Sequence, residues 1–317
     1  MSSIENEATL SATSAQPINL LSIVSTIAAI LLPIIILLRL FQRVSSLYTK
    51  KTPSLSKEYR SYPIVKREIV SEGTDDQTRP VMFLTLGMKT GAIPTGSHVK
   101  IRQTIAGKVE QRSYTPTRFH EDQCELLLRI YPTGKVTQAL YNLKVGDTVD
   151  VRGPTGQIRY EGPGVFSKGK KKLSGIQHIV CIAGGTGITP CLQITNHVLQ
   201  DTNDNTHVHI LDFNTTFADC MMNDTLTELA TQSDGQLTFS FVVSKSSIGD
   251  PSNLKNASMR TIEPATLIQL LGIHMNTEFQ LDQDTTVVCV CGPPGFVKAT
   301  KSLMKKAGVD ENCILVF

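Results

Sequence analysis

The chain has 317 residues, a formal net charge of +3, 40% hydrophobic and 19% charged residues, and no tryptophan. At roughly 150 residues per domain this length predicts two domains, and so mild a charge, with no arginine-rich block, argues against a nucleic-acid partner. The seven cysteines (Cys124, Cys181, Cys191, Cys220, Cys289, Cys291 and Cys313) are odd in number, irregularly spaced and without a CxxC, so they form neither a disulfide framework nor a zinc site.

Residues 1–17 are polar and predicted to be disordered. Ile18 to Leu38, "INLLSIVSTIAAILLPIIILL", is an uncharged run apolar on every side. About 20 such residues span a bilayer, and a core helix would keep a polar face. A secretory signal peptide would want a basic start and a shorter apolar stretch. Here Glu5 and Glu7 precede the run, while Arg39, Arg43, Lys50, Lys51, Lys57 and Arg60 follow it. The positive-inside rule keeps that flank in the cytosol. The expectation is a transmembrane anchor at 18–40, a basic tether at 41–60 and a single-pass protein whose C-terminal part is cytosolic. Endoplasmic reticulum and mitochondrial outer membrane both remain open.

From about residue 61 to 160 six short segments alternate partially: "YPIVKREIV", "PVMFLTLGM", "SHVKIRQTI", "KVEQRSYTP", "ELLLRIY" and "DTVDVRGP". Gly, Pro and polar residues break them, which predicts a small antiparallel six-stranded β-barrel. In "QRSYTPT", Arg112 and Tyr114 share one face of a strand, and Pro116 ends it or puts it at an edge. Residues 161–175, with "GPGVFSKGKKKLSG", read as a linker or hairpin. From 176 to 317 strand-like and helix-like segments alternate, which predicts an α/β domain with a parallel sheet.

Three turns carry candidate chemistry. "IVCIAGGTGITP" runs a buried strand into Gly184, Gly185 and Thr186 and then into a helix, a seat for a pyrophosphate; it is neither GxGxxG nor a Walker loop. "CGPPG", from Cys291 through Gly292 and Pro293, follows the late strand "TTVVCV", so two strand ends border one crevice. "TGKVTQAL" opens a helix on Gly134, Lys135, Val136 and Thr137, a second phosphate seat. His207 and His209 in "HVHI" share a strand face, but two ligands without a third make a poor metal site, and no metal is expected.

"RSYTPT", "GKVTQAL", "GDTVDVRGPTG", "IAGGTGITP" and "CGPPG" occur in the order and approximate spacing of the NADH–cytochrome b5 reductase family, which this chain resembles over residues 62–317. It also ends, as that family does, on an aromatic residue, Phe317. The resemblance implies an FAD-binding domain and an NADH-binding domain. Arg112, with Ser113 beside it, would meet the FAD pyrophosphate, Tyr114 would pack at the flavin, and Thr115 would face its N5 region. Leu128, Ile130 and Tyr131 would contact FAD through backbone, Gly134 to Thr137 its phosphates, and Thr189 would lie near the ring. Gly184 to Thr186 would hold the nicotinamide-nucleotide pyrophosphate. Cys291, followed by Gly292 and Pro293, would sit beside the reacting nicotinamide, packing there without acting as a nucleophile. The implied reaction passes a hydride from nicotinamide to flavin and then single electrons to cytochrome b5 or a similar haem protein. Lys168, Lys170, Lys171 and Lys172 offer a basic face for that partner. Two departures stand out. "FVVSKSSIG" has Ser244, Lys245, Ser246 and Ser247 where the family carries an acid favouring NADH, so NADPH is admissible. Asp250 to Asp284 matches the family poorly. A same-fold reductase serving another acceptor, or a non-catalytic scaffold on the membrane, are the alternatives.

Overall fold

The computed structural model describes residues 54–72, 79–89, 93–120, 122–244, 257–259 and 282–317. The disordered start, the anchor at 18–40, most of the tether, Lys245 to Ser247 and the bulk of 250–284 fall outside the described residues. Among the described residues no helix is long and apolar enough to cross a membrane.

The first domain is one antiparallel sheet of seven strands. They are β1 (Arg60–Ser71), β2 (Val81–Gly87), β3 (His98–Ile105), β4 (Lys108–Tyr114), β5 (Pro116–His120), β6 (Gln123–Arg129) and β7 (Thr148–Thr155), in the order β4-β3-β7-β1-β2-β6-β5. The expected six strands become seven because β4 and β5 are one run of chain broken only at Thr115. Those two halves are the opposite edges of the sheet. The sheet therefore curls until its edges are a single residue apart. Pro116, which has no N–H to donate, opens an edge strand as such a residue must. Alternate residues point inward: Tyr62 and Ile64 from β1, Leu84 and Leu86 from β2, Leu126 and Leu128 from β6. Helix α1 (Lys135–Asn142) adds Val136 and Leu140 to this core. Each such fully buried aliphatic side chain contributes roughly 1.5–3 kcal/mol.

The stretch read as a linker or hairpin is a three-stranded meander of β8 (Ile158–Gly162), β9 (Val165–Lys168) and β10 (Lys171–Leu173). β9 and β10 form the hairpin of that reading, β8 before them adds the third strand, and Gly162, Gly164 and Gly169 serve the turns with positive φ. Tyr160 and Phe166 bury against the second domain. Lys172 pairs with Glu161 at 3.1 Å, and Lys171 donates to Asn312 at 2.8 Å.

The second domain is a parallel sheet of β11 (His178–Gly184), β12 (His207–Asn214), β13 (Leu237–Val243), β14 (Ala257–Met259), β15 (Thr286–Cys291) and β16 (Ile314–Val316). Their order is β14-β13-β12-β11-β15-β16. Helices α2 (Ile188–Gln200) and α3 (Asn223–Gln232) cover one face, and α4 (Pro294–Lys306) covers the other. Both faces are dry, so β11 is apolar without alternation: Ile179, Cys181 and Ala183 face α2, and Val180 and Ile182 face α4. Strand order reverses at β11, which opens a crevice at the carboxyl ends of β11 and β15.

The two domains are stitched on α2. Gln193 is buried; its Oε1 accepts from the Gly96 amide at 2.6 Å, and its Nε2 donates to the Ser97 and Pro116 carbonyls at 3.4 and 3.3 Å. Val81 and Leu127 of the barrel pack into the apolar cluster around α2.

Candidate active site

The chain from β4 to β5 lies against the crevice. Ser113, Tyr114 and Thr115 line a cavity of about 360 Å³. Leu128 and Tyr131, Thr137 from the first turn of α1, Thr186 and Thr189 beyond β11, Cys291 and Gly292 beyond β15, and the terminal Phe317 line it too. Two strand-end turns touch here: a Cβ on Gly187 would overlap the Cys291 carbonyl oxygen, so only glycine lets them close. Helix α2 begins at this spot, so its first amides and positive dipole end face the crevice.

Apart from Arg129, the titratable side chains on the cavity wall are neutral. Burial pushes the Cys291 thiol up to about 12, and the neighbouring Cys191 adds to that, while the Gly292 amide pulls the other way. Cys291 is therefore a neutral thiol at physiological pH. Burial also raises Tyr114, whose hydroxyl is buried without a hydrogen-bond partner. Thr189 donates to the Thr186 carbonyl at 3.1 Å, which fixes its rotamer. His98, on the same wall, is lowered by burial and by Lys100 and Arg159, so it too is neutral.

A second cavity of about 270 Å³ adjoins the first, with Arg129 and Tyr131 lining both. Gly184, Gly185 and Pro293 lie on it, as do Arg79, Asn214 and Ser244. Gly185 holds φ at +56, a left-handed position. Close packing explains the other glycines: Gly184 and Gly292 touch each other and the Phe296 ring. Arg129 is buried, and it crosses between domains to Asp219, donating to the carbonyl and lying 3.4 Å from the carboxylate. Its Nε is buried with no partner. Arg79 stacks 5.1 Å over the Tyr131 ring. The lining of this groove is thus cationic, and among the described residues it includes no carboxylate.

Five of the expected residues line neither cavity. Ile130 and Val136 are in the barrel core, and Gly134 packs against Tyr131 and Thr137. Arg112 and Lys135 are exposed, and both face one carboxylate: Lys135 meets Glu110 at 2.7 Å and Arg112 meets it at 3.9 Å. Lys135, and more weakly Arg112, hold Glu110 below the usual carboxylate range. Two cations converging on one anionic position are what a pyrophosphate needs, and Tyr114 and Arg129, both on the first cavity's wall, each bury one polar atom without a partner. These residues fit a flavin dinucleotide in the first cavity and a nicotinamide nucleotide in the second.

Sequence reasoning missed Arg129, Arg79 and His98. Arg129 had a signal, as the lone charge inside the apolar run "LLLRIY" on a strand whose alternate residues fill the barrel. Arg79 and His98 had none.

Residues 62–160 match the family described as an oxidoreductase FAD-binding domain, and residues 181–302 the one described as an oxidoreductase NAD-binding domain. The chain is 33% identical over 256 residues to mouse NADH-cytochrome b5 reductase 2, covering 75% of this chain and 86% of that protein. Among solved structures it is similar to the cytochrome b5 reductase domain of Ulva prolifera nitrate reductase. There the TM-score is 0.71 at 26% identity, over 84% of this chain and all of that one. The CS-b5R domains of human Ncb5or in the NAD+ form give 0.64 at 26% identity, over 82% of this chain and 69% of that one.

Proposed function

The chain belongs to the NADH–cytochrome b5 reductase family of FAD-dependent oxidoreductases, and on that premise we propose that it moves electrons from NADH to cytochrome b5 or a similar haem protein at a membrane surface. One observation carries the reading: the β4–β5 junction and the carboxyl ends of β11 and β15 line one cavity, and that cavity shares Arg129 and Tyr131 with a cationic groove. When bound, FAD supplies the redox chemistry, taking two electrons as a hydride and releasing them singly. Arg112 and Lys135 bind its pyrophosphate as directed and point cations respectively. Tyr114 supplies a ring face and a buried hydroxyl, and Thr115 fixes the turn between the two strand edges. Gly184, Gly185 and Thr186, with the start of α2, receive the pyrophosphate of the nucleotide, and Arg129 adds charge beside it. Cys291, Thr189 and Phe317 wall the cavity and keep water from the reacting atoms. Cys291 holds its own proton throughout.

The haem-protein acceptor draws support from the names of the relatives. The anchor draws support from the apolar run Ile18–Leu38 and its basic flank, which would hold the two-domain part in the cytosol at the endoplasmic reticulum or mitochondrial outer membrane. A test is stopped-flow reduction of cytochrome b5 by the full chain with NADH. Fast reduction of cytochrome b5 supports the reading. Reduction of ferricyanide but not of cytochrome b5 assigns another acceptor, and inertness toward both, with FAD bound, leaves a scaffold.

A second reading concerns the nucleotide. Ser244 lines the groove where an acid would repel a 2′-phosphate, and Arg79 and Arg129 are its charged groups. That composition admits NADPH. Equal kcat/KM for NADH and NADPH would support it, and strict NADH use would remove it.

A further inference from the structure

At the amino-terminal edge of the parallel sheet, opposite the crevice, three imidazoles gather. His207 and His209 alternate on β12, so they share a face. From sequence they lack a third ligand. The sheet register supplies it: β11 pairs with β12 in parallel, with His178 directly opposite His207. The ring centroids of His178 and His207 are 5.5 Å apart, those of His178 and His209 are 5.4 Å apart, and those of His207 and His209 are 6.5 Å apart.

We propose that His178, His207 and His209 form a binding site for a divalent cation of the zinc type. Three nitrogen donors with a water in the fourth position are a donor set that zinc takes. Zinc–nitrogen bonds of about 2.0–2.1 Å at a tetrahedral angle place two donor nitrogens about 3.3 Å apart. His178 Nδ1 and His209 Nε2 are 3.2 Å apart. The outer nitrogen of His209 is already oriented: its Nδ1 lies 2.8 Å from the Thr238 hydroxyl. A hydrogen bond on the outer nitrogen fixes the tautomer and points the inner one at the metal, as in zinc sites generally. The cation sits off the line joining the two nitrogens, and the proton between His178 and His209 moves to the outer nitrogen of His178 on binding. Asp282 acts electrostatically on His178 and adds negative charge beside the site.

Among the described residues no three side chains already converge on one cation position. His207 is what has to move. It is solvent-exposed and stacked on His178, so cation binding requires it to turn its ring inward by a change of rotamer. The site lies at the far end of the strands from Gly184 and Cys291, so it is independent of the nucleotide groove.

The test uses the full chain loaded with FAD, stripped of metal with a chelator and titrated with zinc chloride in a calorimeter. The expected result is one equivalent bound, with a rise in melting temperature. His207→Ala and His178→Ala should each weaken binding by at least about tenfold, the smaller loss seen when even an outer-shell partner is removed. His207 is exposed, so its variant folds, and an unchanged metal-free melting temperature verifies that. Absence of binding in the parent chain overturns the proposal. So does zinc binding that survives intact in the double variant, which would assign the cation to the free thiols.

Discussion

A thiol held near 12 is not a nucleophile at neutral pH, so Cys291 acts through its shape. Cys291→Ala should lower kcat by less than about a hundredfold, the scale of a misplaced reactant, whereas deleting a covalent nucleophile costs about a millionfold. The parent chain's kcat should stay flat from about pH 6 to about pH 9, because no thiolate is titrating. Collapse of the variant to background would show that the sulfur reacts. Asp212 behaves in the opposite way to a paired surface acid. Burial raises it from 3.8 to about 7, against the Asn214 amide and Arg129, which pull it down, and one carboxyl oxygen has no partner. The folded chain therefore keeps a proton that the unfolded chain loses between about pH 4 and about pH 7. Asp212's contribution to stability is greatest below that window and falls as pH rises through it, by at most about 1.4 kcal/mol per pH unit. Asp212→Asn should flatten the fall, as read from melting temperature against pH; parallel curves would show that Asp212 is ionised in the fold. None of this was legible in "HVHILDFN", where the burial of an acid depends on what lands on it.

Helix α2 carries the junction of the domains through one side chain. Gln193→Leu fills the space but leaves the Gly96 amide and the Pro116 carbonyl without their partner, at about 1–3 kcal/mol for an unsatisfied buried group. Urea denaturation should show that loss, and an unchanged midpoint would mean that apolar packing at Val81 and Leu127 holds the domains without it. The elements themselves were legible where periodicity is strong. The strands from "IQHIVCIA" to "TTVVCV" and the helices after them announce a parallel sheet, because burial on both faces removes alternation and turns punctuate each unit. β5 was not, since five residues behind a proline look like a strand end. The hairpin at 165–173 was one of two readings of its stretch, and the pairing of β8 onto it was not legible, since Gly and Lys mask short pairing. Register between strands leaves no mark on sequence, which is why His178 could not be joined to His207 and His209 beforehand.

For the whole molecule, the motifs in order identified the family, and four of the five put residues on the two adjoining cavities; "GDTVDVRGPTG" is a barrel strand that lines neither. Arg112 was proposed from the resemblance and Lys135 from its own turn as well, while Arg129 needed the fold. Residues Thr52–Phe317 form one compact unit. Removing residues 1–40 should therefore free the protein from membranes and leave its NADH–ferricyanide turnover intact. Electron delivery to membrane-bound cytochrome b5 should drop by about a hundredfold or more, as effective concentration is lost. Unchanged sedimentation with membranes would place the attachment elsewhere. The most direct measurement is an anaerobic visible spectrum of the full chain before and after NADH. A yellow protein that NADH bleaches is the predicted result, with the flavin against Tyr114 and the nucleotide against Gly184 and Cys291. A protein that stays colourless with added FAD would contradict the assignment of the Tyr114–Thr115 cavity, and with it the account built on that cavity.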